Sequence, residues 1–209
     1  KQSFMFLTGP EVIKAVTGEK IDAESLGGSE VHMSISGVAH LSAPTERDAL
    51  ALVRQFLSYL PSNNVENPQF VQNGDDPMRM DEKLNTLIPL DPSEPYIMHE
   101  VIEAIVDEGV FLEIQPNWAR NAIVGLARIG GHSVGIVAQE PAVMAGVIDI
   151  DASDKMTRFV RMCDCFNVPL VTFVDSPGFL PGTHQEYSGI IRHGAKLLYA
   201  YSEATVPKI

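Results

Sequence analysis

Apolar residues along this chain recur at two spacings, and the changes between them mark its elements. Val12, Ile13 and Val16 fall on one helical face after Pro10, and Gly18 ends that run. Asp22 predicts the cap of a shorter helix that closes at Gly27-Gly28. Residues 31–39 mix polar and apolar positions with no clear period. Thr45 opens the strongest amphipathic run of the first third. Ala49, Leu52, Val53, Phe56, Leu57 and Leu60 repeat there at helical spacing, until Pro61 stops them. Val101, Ile102, Ile105 and Val106 predict a helix over 97–108, with Gly109 as its stop. Phe159, Val160, Met162, Cys163 and Phe166 predict another, capped by Asp151 or Ser153.

Short apolar runs read instead as strands: 4–7 and 170–174 as buried ones, and 111–114, 122–129, 133–138 and 143–150 (broken by Gly146) as strand-like. Gly130-Gly131 between two of them predicts a hairpin. Asp175 ends the last run. Two breaks, Pro177-Gly178 and Pro181-Gly182, then turn the chain. Thr183-His184-Gln185-Glu186 fits a capping box that opens a long helix to about Glu203. From residue 97 the order is helix, hairpin, strand, helix, strand, helix, strand, which is α/β.

Residues 61–95 break both spacings. Six of the chain's 14 prolines fall there, among Asn and Asp clusters, so the stretch buries little and reads as a linker. Its one apolar piece, 84–90, reads as a docked segment. The formal net charge of −12 argues against nucleic acid as a partner, because phosphate binding needs basic patches. Cys163 and Cys165 stand one residue apart, a spacing that suits neither a disulfide framework nor a zinc site; buried thiols in a reducing compartment are the reading. No apolar run reaches the ~18 residues of a membrane span, and no signal peptide is visible. The chain opens inside an apolar run without an initiator Met and closes where Val206-Pro207-Lys208-Ile209 begins a strand, so a fragment is expected.

Candidate chemistry gathers in the last third. Asp175, Ser176 and His184 have triad residue types, but Ser176 lacks the G-x-S-x-G elbow and precedes a Pro. The 178–183 stretch lacks the Lys and spacing of a phosphate loop. Asp149, Asp151 and Asp154 read as helix caps rather than metal ligands, and no metal site is expected. Arg120, Arg128, Arg158 and Arg161 have the charge to meet ligand phosphates, though surface Arg is the ordinary reading; Arg192 and His193 read as solvated or packed. Gly146, late in an apolar run and before a capped helix, can leave the next N–H facing a cleft, where one or two such donors stabilise an enolate oxygen. A glycine that merely lets a helix approach a strand remains the alternative.

The stretch from Asp175 resembles the D-x-P-G-F-x-P-G-x-x-Q-E-Y-x-G-I-I-R-H-G-A-K signature of the carboxyltransferase (β) subunits of biotin-dependent acyl-CoA carboxylases, with the propionyl-CoA type most similar. Phe6-Leu7-Thr8-Gly9-Pro10, Ser36-Gly37-Val38-Ala39-His40, GVIDIDASDK from Gly146 and the segment from Ala195 to the end extend the likeness over nearly the whole chain. Transcarboxylase cores and methylmalonyl-CoA decarboxylase α-subunits share the pattern. Ser176 stands where Val is usual, Ser188 where Gly is usual, and Val147 where Cys is common.

This resemblance implies a crotonase-like α/β fold, with the end of one domain in 1–60, a linker in 61–95 and the opening half of a second domain in 96–209. It implies transfer of a carboxyl group from carboxybiotin to the α-carbon of a short-chain acyl-CoA, without a protein nucleophile. Gly146 and Val147 would then supply amides on the biotin side. Gly178, Phe179, Pro181, Gly182 and Thr183 would line the biotin site, and Asn117, Arg120 and Asn121 would lie near the acyl-CoA. The implied cofactor is biotin on a separate carrier, and the implied partners are a biotin carboxylase or carrier subunit and further copies in a hexamer. Bacterial cytoplasm or mitochondrial matrix is the implied compartment. The glycine-rich halves of both oxyanion holes fall outside the matched segment, so these 209 residues alone would be inactive and act as a scaffold segment.

Overall fold

The structure, a computed structural model, describes residues 3–91 and 94–209. Four helices occupy the first part: α1 (Pro10–Thr17), α2 (Ala23–Gly27), α3 (Ser29–Ser34) and α4 (Glu46–Leu57). Their ends follow from local chemistry. Pro10 sits in the first turn of α1, where its missing N–H costs nothing, and Gly18 closes the helix in the left-handed conformation. Asp22 accepts the Ser25 N–H at the start of α2, and Thr45 accepts the Asp48 N–H at the start of α4. α3 fills the stretch whose period was unclear. Residues 4–7 differ from expectation. Phe4, Met5, Phe6 and Leu7 are exposed, and strand-like pairing there is limited, among the described residues, to a bridge between Phe4 and Gly28. On α4, Leu52 and Phe56 pack inward, whereas Leu50, Val53 and Leu57 of the same apolar stripe face outward.

After α5 (Leu84–Leu87) and α6 (Met98–Ile105) comes a four-stranded sheet. β1 (Phe111–Ile114), β2 (Ala122–Ile129) and β3 (His132–Gln139) run antiparallel in sequence order, and β4 (Leu170–Phe173) joins β3 in parallel. Gly130 and Gly131 form the two-residue hairpin with φ of 56° and 78°; a turn with both central residues at positive φ matches strand twist and favours glycine. α7 (Ile150–Cys165) carries the chain between β3 and β4, and α8 (Thr183–Ser188) and α9 (Ile190–Glu203) follow. Lys208 then bridges Leu170 in parallel, as the expected final strand would.

Helices cover both faces of the sheet. Val124, Leu126 and Val137 point to Met156, Phe159, Val160 and Cys163 of α7 and to Leu197 and Ala200 of α9. Ile123, Ala127, Val134 and Ile136 point to Met98, Val101 and Ile102 of α6. Burial on both faces is why β2 and β3 read as unbroken apolar runs instead of alternating ones. Gly135 lets α7 come close: a Cβ there would stand 2.5 Å from the Cys163 Sγ. The sequence predicts that both thiols are buried; Cys163 is, and burial raises its thiol pKa, but Cys165, two residues on along α7, falls on another face and is exposed.

Four local expectations are corrected. The 143–150 run is no strand but a tight 3-10 turn, Met144–Gly146. The α7 cap is Asp149, which accepts the Ala152 N–H, not Asp151 or Ser153. Thr183 is the first residue of α8 and makes no side-chain cap; Gly182 holds the cap position at φ 127°. Gly189, at φ 89°, divides the expected long helix into α8 and α9.

The 61–95 stretch is tied down at several points. Arg79 donates to the carbonyls of Ala104, Ile105 and Val106, satisfying the C-terminal end of α6, and its guanidinium pairs with Asp75. Asp107 accepts the Gly130 and Gly131 N–H groups and the Asn73 amide, so it joins this stretch to the hairpin. Leu84 and Leu87 dock on the α6 side of the core, while Ile88 and Leu90 stay exposed.

Candidate functional site

Three stretches singled out in the sequence meet along one edge of the sheet. The first is the turn after β3. Met144, Ala145 and Gly146 take positive φ in succession, 53°, 53° and 67°, which costs L-residues roughly 1–2 kcal/mol each. The second is the loop after β4. Its backbone lies against Gly146 so closely that a Cβ there would stand 2.5 Å from the Asp175 carbonyl oxygen. Ile148 then pairs with the loop: its N–H donates to Gly178, and its carbonyl accepts from Leu180, both at 2.9 Å. The third is 115–122, between β1 and β2. Asn121 is buried there, and its Nδ2 donates to the Val147 carbonyl at 2.8 Å and to Asp149 Oδ1 at 3.2 Å.

Supports from the core fix this edge. Gln139, at the end of β3, accepts the Asp175 N–H at 3.0 Å. Tyr96 donates its hydroxyl to Asp175 Oδ2 at 2.7 Å, and burial together with that carboxylate raises the phenol pKa. Gln185 of α8 reaches across to accept the Ile150 N–H at the start of α7. The Phe179 ring lies over Gly194 of α9, where a Cβ would meet it at 2.8 Å. Under the edge, Glu140 accepts the N–H groups of Met98 and Ala142, and His99 bridges Glu140 and Glu113. Glu113 above all, then Glu140, raises the His99 pKa against its burial.

The residues expected to act divide clearly. Gly178 and Gly182, at φ 122° and 127°, have open space where a Cβ would stand, and Phe179 and Pro181 are exposed, so 178–183 presents an open wall. The Gly146 and Val147 amides were expected to be free donors. Both are engaged: Gly146 N–H donates to Val143 O at 3.0 Å and Val147 N–H to Met144 O at 3.2 Å. The left-handed curl brings each N–H onto the carbonyl three residues back. Asn117 and Arg120 stand exposed on the 115–122 loop; Asn121 is a brace rather than an open contact. No hydrogen bond joins His184 to Ser176 or Asp175. Ser176 Oγ bonds Gly178 and Asp175 bonds Tyr96, so the triad types do not assemble. Among the described residues no three His, Cys, Asp or Glu side chains group as metal ligands.

Sequence reasoning assigns Gln139, Tyr96 and Lys155 no role in the site, although Lys155 ends the GVIDIDASDK stretch. Only Lys155 left a signal: it shares the inward stripe of α7 with Ala152, Met156 and Phe159, where an apolar residue is the ordinary choice.

The carboxyl transferase domain model matches residues 1–209. The methylmalonyl-CoA decarboxylase α-subunit of Veillonella parvula is 60% identical, over 99% of this chain and 41% of its own length. The propionyl-CoA carboxylase carboxyltransferase subunit of Haloferax mediterranei is 57% identical, over 98% of this chain and 40% of its own. The transcarboxylase 12S structure, a hexamer with methylmalonyl-coenzyme A and methylmalonic acid bound, superposes with a TM-score of 0.97 at 52% identity, over all of this chain and 41% of that one. This chain thus spans about two-fifths of the length of the relatives it matches. With helices on both faces of the sheet and a loop, a turn and a coil meeting at its edge, the chain has the crotonase-like fold and belongs to the carboxyl transferase domain family.

Proposed function

We propose that the full protein moves a carboxyl group from carboxybiotin to the α-carbon of a short-chain acyl-CoA, converting propionyl-CoA to methylmalonyl-CoA. The observation that carries this reading is the family match along all 209 residues. A second reading is methylmalonyl-CoA decarboxylation, favoured by the 60% identity to a decarboxylase α-subunit; it runs the transfer in the opposite direction, from thioester to biotin. A transcarboxylase core, as in the 12S relative, combines the two directions. In each case biotin arrives on a separate carrier protein or domain. Residues 1–60 and 96–209 belong to two successive domains, with 61–95 between them. The assembly is a homo-oligomer, with a hexamer the model offered by 12S. Tyr187, Ile191, Leu198 and Tyr199 support this, since they expose apolar surface that a further chain segment or copy would cover. Its compartment is bacterial cytoplasm, or mitochondrial matrix in a eukaryote; no helix among the described residues is long and apolar enough to cross a membrane.

The edge fits a small bicyclic urea. Gly178 and Gly182 leave room for a ring, and the exposed Phe179 offers it an apolar face. Bound as carboxybiotin, that group supplies the carboxyl and the base for the α-proton. The chain's own part is placement. Loop 178–183 orients the ring; the Gly146 and Val147 amides already donate to Val143 O and Met144 O, so they would meet developing negative charge only by sharing those bonds. Asn117 and Arg120, exposed on 115–122, are the polar groups this reading offers to the acyl-CoA. Protein side chains need form no covalent bond; holding reactants together can itself supply most of the rate. The test is release of CO2 from methylmalonyl-CoA by the purified full-length protein with free biotin. No biotin-dependent turnover would overturn the reading.

A further inference from the structure

Lys155 is 1% exposed and is the one buried Lys or Arg among the described residues. Its Nζ donates to four main-chain oxygens: Ala122 at 2.7 Å, Gln115 and Trp118 at 2.9 Å, and Ala119 at 3.3 Å. All four belong to 115–122. Positive φ at Gln115 and Ala119 coils that stretch around the ammonium. The same eight residues hold Asn117 and Arg120 outward and send the Asn121 amide to Val147 and Asp149. Gln115 also ties the coil to the first part of the chain: its N–H donates to His40 O at 2.9 Å, and its side chain donates to Gly37 O.

Nothing in the proposed chemistry touches Lys155. We infer that Lys155 is a positioning residue of the transfer site: its ammonium sets the shape of 115–122 and, through Asn121, the place of the 146–149 turn. This rests on the reading that those stretches border the reacting groups. An ammonium suits the task because it is compact, with three N–H bonds spread around one nitrogen. A guanidinium is a planar fork whose donors cannot converge on four oxygens around one point. Burial pushes the Lys155 pKa down to about 8, opposed by Glu113 of β1, the charged side chain whose field reaches it. The neutral amine keeps two N–H bonds for four acceptors, so its hold loosens as pH rises past that value.

The experiment uses the full-length protein. In the wild type, amide hydrogen exchange is followed from pH 7 to 9.5 and corrected for the intrinsic rate. Residues 115–122 and 146–149 are expected to lose protection above about pH 8, while the β2–β3 hairpin keeps its own. Lys155→Met and Lys155→Arg should both lower kcat roughly 10–100-fold and raise KM for the acyl-CoA, the loss expected when a site shifts by about an ångström. Asn121→Ala should loosen 146–149 and leave 115–122 protected. Protection of 115–122 that is flat with pH overturns the inference even where the variants fail to fold. So does a folded Lys155→Met protein with wild-type kcat and KM. If the wild type shows no biotin-dependent turnover, the functional reading falls, and the exchange experiment still decides whether Lys155 holds the two stretches.

Discussion

Gly182 separates two ways in which the 178–183 loop can matter. It sits at φ 127° and ψ 153°, a region open essentially to glycine alone, and nothing lies within 4 Å of where its Cβ would be. Gly182→Val therefore meets no wall inside the protein. Its cost is backbone strain of about 1–3 kcal/mol, and Gly182→Ala carries nearly the same cost. The loop is exposed, so it can relieve that strain locally by moving. Glu186 N–H donates to Gly182 O at 3.0 Å, so moving the loop also shifts the first turn of α8 and the Gln185 contact to α7. Both variants of the full-length protein are expected to slow biotin-dependent decarboxylation of methylmalonyl-CoA roughly 10–100-fold. Melting should fall by about 2–12 °C if the strain stays in place, at about 2–4 °C per kcal/mol for domains of 150–250 residues, and by less where the loop moves to relieve it. A wild-type rate for Gly182→Ala beside a slow Gly182→Val would mean that bulk in the cleft, not backbone strain, is the cause. Wild-type rates for both would remove the loop from the site.

Two further outcomes follow from the supports. His99 has a raised pKa in the folded state, so its contribution to stability is complete below about 6.5, its ordinary value, and is lost as pH rises through the raised one. Denaturant titrations from pH 5 to 9 should show that decline, and His99→Gln should flatten it; an unchanged slope would refute the Glu113–His99–Glu140 bridge. Arg79→Ala should remove the guanidinium from the Ala104 and Ile105 carbonyls of α6 and from Val106 O and free the neighbouring chain, so limited proteolysis should cut within 70–85 sooner than in the wild type. An unaltered cleavage pattern there would show that Arg79 does not hold this stretch.

Patterns confined to one element were legible in the sequence. The β2–β3 hairpin and the Thr45 and Asp22 caps follow from spacing and turn chemistry acting within a few residues. What misled was context. The 4–7 run has the composition of a buried strand, yet among the described residues it is exposed and its main-chain pairing is limited to Gly27 and Gly28. The 143–150 run has equally apolar residues, yet Gly146 must approach the Asp175 carbonyl, and that contact across the fold outweighs the strand propensity of Val143, Val147 and Ile148. The 61–95 stretch is poor in core residues and reads as slack. Its anchors are polar: Arg79, Asp75 and Asn73 bind main-chain groups or Asp107, and such bonds leave no hydrophobic period behind.

The same reasoning explains why the site's loops and its supports differ so much in visibility. The loops announce themselves, because Pro and Gly are needed wherever the chain turns sharply. Left-handed residues at Met144 and Ala145 and open glycines at 178 and 182 are conformations an isolated segment would not keep. Something buried must hold them. Gln139 reaches Asp175, Asn121 reaches Val147, and Lys155 gathers the carbonyls of 115–122. Each is a buried polar side chain hydrogen-bonded to main-chain groups, and being hydrogen-bonded is the condition under which a buried polar group is tolerated. A change at one of these anchors should therefore displace a loop it does not belong to. For that reason, variants of the supports, measured against variants of the loops, are the sharper probe of how this edge works.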